Sequence, residues 1–439
     1  MKQLSQYFNR NTLFSGLFFF FVLFSLSIMR PFRGVITANI GTADLPYFLF
    51  IVVLVMLIVN FIYSAIVSRV KESKLVIYVY VFFILNLLIF SYLNYYFSES
   101  YFLRGSFYVW YNVFNFSVVS VFWARTINSF DYKDGKKYYG IISAFGTVGF
   151  FTASLLVYFF LEEKPIITMI LSCVSLMIAV YFSTKTLLLK KNKHNTKRNT
   201  ILIDASEQLR QIKSNILVRQ LLFYAFIWTC LSTALYFFSL EVLIMATTKN
   251  FYGLVYVDTG MQSQLFALAD IIATIVTVIF QLFITRPLLR STYFGVSFAL
   301  IFYGAIFTIA FLLMYLYFSQ LFLTSVGSVF NFRGVNLNAA ALLFLIITAL
   351  VRPFEYAINK PARETVYTTL KKSEKYKSSV FIDTFMNRFG DASGGLLFNS
   401  LLFMGLTISV APLAIIPLAA YLSAVGNKIS KGVNKAKSL

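Results

Sequence analysis

The feature that most constrains this chain is a succession of apolar runs, each long enough to cross a bilayer. A hydrocarbon core about 30 Å thick needs roughly 20 apolar residues of helix to span it. Such runs read as helices at about 12–39, 45–68, 75–97, 106–126, 138–161, 166–189, 216–246, 261–285, 291–317, 337–362, 379–404 and 408–427. Helix is forced, because an open strand leaves its backbone unsatisfied in lipid. The runs are continuous rather than alternating, which argues against a barrel. The composition is 59% hydrophobic and 13% charged, against roughly 45–50% and about 25% for a soluble domain. The expected fold class is an all-α polytopic membrane protein of about 12 transmembrane helices in two six-helix, pseudo-symmetric halves. A soluble enzyme, a secreted disulfide protein and a disordered chain are excluded.

The formal net charge is +21, and its location gives it meaning. With the N-terminus in the cytoplasm, the cytoplasmic segments and the cytoplasmic ends of the spans hold 29 Lys/Arg and the outer loops hold four (Arg104, Lys164, Lys249 and Arg333). That asymmetry is a positive-inside signal, and it works only for an even number of spans. The charge therefore sets topology, with both termini cytoplasmic, and does not point to nucleic acid.

Enzyme chemistry finds little support. Cys173 and Cys230 sit in apolar runs, and the only histidine, His194, lies in a polar stretch. A histidine zinc site is thus unavailable. No Gly-x-x-x-x-Gly-Lys-Ser/Thr loop marks ATP hydrolysis. No metal, cofactor, catalytic residue or obligate protein partner is implied. The first apolar run begins near Leu13 without a small-residue cleavage site and reads as a retained helix.

The longest polar stretch divides the chain into an N-terminal six-helix bundle (1–189), a connecting loop (190–215) and a C-terminal bundle with a basic tail (216–439). Within the loop, Ile203, Leu209, Ile212 and Ile216 recur near helical spacing, which suggests an interfacial helix. The halves echo each other. A shift of 241 residues lays Lys136 on Lys377, Gly149 on Gly390 and Leu155–Leu156 on Leu396–Leu397. Helix 1 carries Arg30-Pro31-Phe32-Arg33 and helix 10 carries Arg352-Pro353-Phe354-Glu355. Helices 1, 4, 7 and 10 are corresponding elements that line the cavity of major facilitator folds. Helix 4 ends near Arg125.

A charge at mid-bilayer costs about 3 kcal/mol on insertion scales, so it is normally turned inward and paired. The spans hold five basic candidates (Arg30, Arg33, Arg352, Lys360, Arg388) and five acidic ones (Glu241, Asp270, Glu355, Asp383, Asp391). A polar translocation path gives such a cost a reason. Arg30 and Arg33 share a face of helix 1 at i,i+3 and repel unless an anion or a partner helix lies between them. Arg352 with Glu355, and Arg388 with Asp391, have the same spacing and can neutralise each other. These pairs serve either as intramembrane locks or as bonds that break and reform during transport. Asp270 stands alone on helix 8, either as a proton-coupling carboxyl or as the partner of an arginine on another helix. Glu241, near the outer end of helix 7, reads as a group in contact with water. The substrate-binding set is Arg30, Arg33, Arg352, Lys360 and Arg388, facing one cavity. The coupling or gating set is Asp270, Glu355, Asp383 and Asp391. Pro31 and Pro353 each free a carbonyl four residues earlier and supply hinges. Tyr108, Trp110, Tyr111, Trp123 and Tyr356 offer rings to a planar substrate, although packing accounts for each of them as well.

Several stretches resemble a known family. The helix 1 segment Arg30-Pro31-Phe32-Arg33, the run Gly41-Thr42-Ala43-Asp44-Leu45-Pro46-Tyr47 and the stretch from Tyr111 to Gly149 are similar to nucleotide carriers of the ATP:ADP antiporter type and their free-living bacterial relatives. So is Arg352 to Gly395, with Lys360-Pro361-Ala362-Arg363-Glu364, Glu374-Lys375-Tyr376-Lys377 and Asp383. The resemblance implies a major facilitator-like carrier in a bacterial inner membrane. It does not fix the substrate. No acid falls within helix 4, where Arg125 is the only charge. The facilitator loop 2–3 signature is degraded to Ser68-Arg69-Val70-Lys71-Glu72-Ser73-Lys74. Gly140 and Gly149 have the spacing of the drug-exporter signature, but no Gly-Pro follows.

The expected function is secondary active transport by alternating access of an anionic organic solute, a nucleotide among the candidates. The alternative is a proton-coupled exporter or importer of another small organic solute, such as a carboxylate metabolite or siderophore. ATP carries about four negative charges and needs several unpaired cations. Five bases against five acids permit that without demanding it. A membrane-embedded enzyme, a channel and a non-transporting scaffold are weaker readings.

Overall fold

The computed structural model describes residues 10–69, 72–127, 129–130, 132–186, 215–251, 254–290, 295–321, 330–332, 335–367, 369–370 and 382–437. The connecting loop, except Asn215, and its expected interfacial helix lie outside the described residues.

Among the described residues, twelve helices follow in order. They are α1 (Arg10–Ile40), α2 (Leu45–Arg69), α3 (Glu72–Phe97), α4 (Tyr101–Ile127), α5 (Tyr132–Leu156, then a π-turn Val157–Leu161) and α6 (Pro165–Lys185). Next come α7 (Ile216–Thr247), α8 (Thr259–Phe280, a π-turn Gln281–Thr285 and a last turn Arg286–Arg290) and α9 (Gly295–Phe318). The chain ends with α10 (Ala339–Phe354, a π-turn Glu355–Asn359 and Lys360–Tyr367), α11 (a π-turn Ile382–Met386, then Asn387–Phe403) and α12 (Ala411–Lys437). Nine of these, among the described residues, are long and apolar enough to cross a membrane. Of the other three, α2 counts only as a shorter apolar helix, Leu45–Asn60, and α4 and α11 are interrupted by polar residues such as Arg104, Asn112, Arg388, Asp391 and Asn399. The protein is an integral, multi-pass membrane protein.

Sequence chemistry explains the helix ends. Asn215 caps α7 by accepting the Leu217 N–H at 3.0 Å, and Asn338 caps α10 through Ala341 at 2.9 Å. An N-cap side chain satisfies one of the donors a helix start leaves orphaned. Gly41, at φ 82°, makes the turn between α1 and α2, a conformation that costs glycine nothing.

Two connecting segments that read as plain loops are β-hairpins. Strand β1 (Thr248–Phe251) pairs antiparallel with β2 (Leu254–Val257), and β3 (Phe330–Phe332) with β4 (Val335–Leu337). Their registers correspond, Phe251 opposite Leu254 and Phe332 opposite Val335, around Asn-Phe-x-Gly sequences at 250–253 and 331–334. At the base of the first hairpin, Asp258 accepts a 2.5 Å bond from Lys249, which raises the lysine pKa above its ordinary value.

The described residues form two compact units, one of 10–40, 55–186 and 259–271, the other of 41–54, 215–258 and 272–437. In the first, α1 packs on α4, α5 and α6, and α3 packs on α4 and α6. In the second, α7 packs on α10, α11 and α12, and α9 packs on α10 and α12. The second pattern is the first with every helix number raised by six. Glycines permit the closest approaches. A Cβ at Gly149 would strike the α1 backbone at Phe20, and one at Gly390 would strike α7 at Thr229. These are the two glycines matched by the 241-residue shift. Serines seal α1 to its neighbours: Ser25 to Ser172 at 2.6 Å, Ser27 to Ser154 at 3.0 Å, and Ser175 to the Phe21 carbonyl at 2.7 Å.

Candidate functional site

In the first unit the candidate site grows from one face of α1. Arg30 and Arg33 lie one turn apart on either side of Pro31. Arg30 Nη1 is 3.6 Å from Asp270 Oδ1, on the first half of α8. Asp270 is 2% exposed and Arg30 33%, so the carboxylate is buried and the guanidinium reaches open space. Above Arg30 lies the Phe150 ring at 5.5 Å, and Arg33 stacks on Tyr108 at 4.7 Å, both cation–π contacts. Tyr111 donates to the Leu26 carbonyl at 2.8 Å, four residues before Arg30. The contact of α1 with α8 has a local basis. Gly34, one turn past Arg30, leaves room for Phe266, one turn before Asp270; a Cβ there would lie 2.6 Å from the ring. Two cations, one buried acid and two aromatic faces can hold an anionic group and exchange it against a carboxylate.

In the second unit the charges form two further sets. Glu355 is buried and accepts from Arg363 at 2.7 Å and from Asn359 Nδ2 at 2.6 Å. Arg363 lies over Trp228 at 4.8 Å, and the Tyr224 hydroxyl donates to Asn359 Oδ1 at 2.9 Å. Sequence reasoning proposed Arg352 for Glu355 and did not count Arg363 among the membrane charges. Arg388 pairs with Asp391 at 3.1 Å, as the i,i+3 spacing suggests, and Thr233 of α7 also donates to Asp391 at 3.0 Å. Arg352 is half-buried and Lys360 exposed. Asp383 falls on the π-turn of α11, and its side chain lies outside the described residues.

One charge differs from its expected role. Glu241 is half-buried, not simply wet: it accepts the Thr42 hydroxyl from the α1–α2 turn. The same turn is held by Asn399, which donates to the Ala43 carbonyl at 2.9 Å. Arg125 lies near the end of α4. It is 6% exposed and donates to the Ser183 and Thr186 carbonyls at 2.8 and 3.2 Å, capping the end of α6. A cation suits the negative end of a helix dipole. Of the candidate stacking aromatics, Trp110 stacks on Phe114 and Trp123 packs edge-on to Phe19, Tyr111 is buried, and Tyr356 is exposed. Tyr108 alone of the five lies under a cation within the candidate site.

Solved structures share this fold. The chain superimposes on a point mutant of the nucleoside transporter NupG with a TM-score of 0.65 at 12% identity, covering 96% of this chain and 100% of that one. It matches the POT family transporter PepTSo with a TM-score of 0.65 at 13% identity, over 98% and 99% of the two chains. It also matches a bacterial homologue of the human lysosomal transporter Spinster, in an inward-facing, unoccupied conformation, at 0.51 and 13%, over 98% and 96%. No family model matches the sequence, and no curated protein does so at a significant level. The chain thus shares its fold with these solved structures.

Proposed function

We propose that this protein is a secondary active transporter that moves an anionic organic solute by alternating access. The observation that carries the reading is the α1 site, where Arg30 and Arg33 stand on one face against the single buried carboxylate of Asp270. Carriers need a polar group whose partner can change. A partly exposed arginine beside a buried acid provides one, since the solute anion and Asp270 compete for the same guanidinium. Arg30, Arg33, Arg352, Lys360 and Arg388 serve solute binding. Asp270, Glu355, Asp383 and Asp391 serve coupling or gating. The chain works as two six-helix halves, 1–189 and 216–439, joined by the basic loop 190–215. It lies in a bacterial inner membrane with both termini in the cytoplasm.

A nucleotide is the solute named by the family resemblance of the Arg30 and Arg352 segments. One observation favours a smaller anion. Arg30, Arg363 and Arg388 each already face a carboxylate, so about four phosphate charges would meet few uncommitted cations. A carboxylate metabolite or siderophore, carried with a proton, is the second reading. Uptake into proteoliposomes separates them. Saturable nucleotide uptake driven by internal nucleotide supports exchange, and saturable carboxylate uptake driven by a pH gradient supports proton coupling. Flux that fails to saturate with any solute contradicts a carrier.

A further inference from the structure

Helices α8 and α10 carry the same local sequence where each widens into a π-turn. Phe280-Gln281-Leu282-Phe283-Ile284-Thr285-Arg286-Pro287 matches Phe354-Glu355-Tyr356-Ala357-Ile358-Asn359-Lys360-Pro361 at Phe, Gln/Glu, Ile, Thr/Asn, Arg/Lys and Pro. The π-turns are Gln281–Thr285 and Glu355–Asn359, each ending two residues before the proline. The proline supplies the cause. Its ring clashes with the carbonyl four residues earlier and offers that carbonyl no N–H. Either a kink or a wider preceding turn relieves the clash; here the turn is widened, and the Lys360 N–H bonds to the Glu355 carbonyl five residues back.

The two turns are bound to each other. Pro361 removes the helical donor for the Ala357 carbonyl, and the Thr285 hydroxyl lies 2.6 Å from that oxygen. Phe280 and Phe354, which open the two motifs, meet edge to face at 5.2 Å. The π-turn of α10 also decides which side chains share a face. Eight residues of regular helix rotate by about 800°, leaving Glu355 and Arg363 roughly 80° apart. A π-turn takes in one extra residue, so the same eight rotate by about 700°, within ~20° of two full turns. The 2.7 Å Glu355–Arg363 pair is therefore a product of the π-turn.

We propose that the paired π-turns form a register switch, in which Thr285 is a positioning residue that holds α10 in the π-form and so holds Glu355 on Arg363. When α8 withdraws Thr285, α10 returns to regular register with a proline kink, Glu355 turns away from Arg363, and the carboxylate gains access to a new partner. The switch rests on the carrier reading only for its link to transport; the register itself is read without a substrate.

The test is carbodiimide labelling of Glu355, read by mass spectrometry on the full chain in lipid nanodiscs. Wild type and Thr285→Ser, which keeps the hydroxyl, should stay protected. Thr285→Val, of nearly the same shape, should label several-fold more. Arg363→Gln should label strongly whatever residue 285 is. Thr285→Val labelling at the wild-type level beside a strongly labelled Arg363→Gln overturns the switch. Protection that survives Arg363→Gln overturns it too, because the ion pair then shields nothing. Neither outcome bears on solute uptake, which tests the carrier reading separately.

Discussion

Asp270 and Arg30 are joined across α8 and α1 by a 3.6 Å ion pair in which the acid is buried and the base is one-third exposed. Breaking a fully buried pair from one side costs about 3–5 kcal/mol. Exposure of Arg30 lowers that, so Arg30→Ala should cost about 2 kcal/mol. Asp270→Asn, which keeps the shape and removes the charge, should cost less. The double variant Arg30→Ala with Asp270→Asn should recover part of the loss. Thermal unfolding of the purified protein in detergent reads all three, and strict additivity would show that the pair contributes nothing.

Gly34 and Phe266 set the approach of the same two helices. Gly34→Leu should overpack the crossing by about 1–3 kcal/mol. Adding Phe266→Ala should relieve most of that, because the clash is with a side-chain ring and not with backbone. Melting temperatures of the single and double variants check the compensation.

Arg125 ties α4 to the end of α6 through two carbonyls and the Thr186 hydroxyl. Arg125→Lys should fail to replace it, since an ammonium lacks the planar fork that serves several acceptors at once. Hydrogen exchange at the amides of residues 180–186 should speed up in both Arg125→Lys and Arg125→Ala. Unchanged protection in Arg125→Lys would show that charge alone suffices.

Arg363→Met should be the most damaging of these changes, at about 3–5 kcal/mol, because it strands the buried Glu355 carboxylate. The pair Arg363→Met with Glu355→Gln should be milder than Arg363→Met alone. Chemical denaturation of the single and double variants measures the difference.

The helices were legible in the sequence because lipid forces each spanning segment to be both apolar and helical. What escaped was set by geometry that residue type does not encode. Arg363 was missed because the tenth span was ended at 362, one residue short, and a regular helix would not place it on the face of Glu355. The π-turn that does so leaves its mark only in the repeated Phe-to-Pro motif of α8 and α10. The partners of Arg125 are carbonyls at a helix end, which sequence leaves anonymous. The hairpins are hidden in short loops, and their shared Asn-Phe-x-Gly turns are the trace they leave in the sequence. The partnership of Asp270 with an arginine on another helix was among the readings weighed, whereas its partner Arg30 emerged only from the packing of α8 on α1.

The most direct measurement of the central claim is ligand-dependent thermal stability of the wild type and Arg33→Ala, across nucleotides, dicarboxylates and siderophores. A solute held at 100 times its Kd should add about 2.7 kcal/mol of stability. The account predicts that one class of anion stabilises the wild type and that Arg33→Ala loses most of the shift. If only neutral solutes stabilise the protein, or if Arg33→Ala responds to the anion as the wild type does, the anion-carrier reading of the α1 site is contradicted.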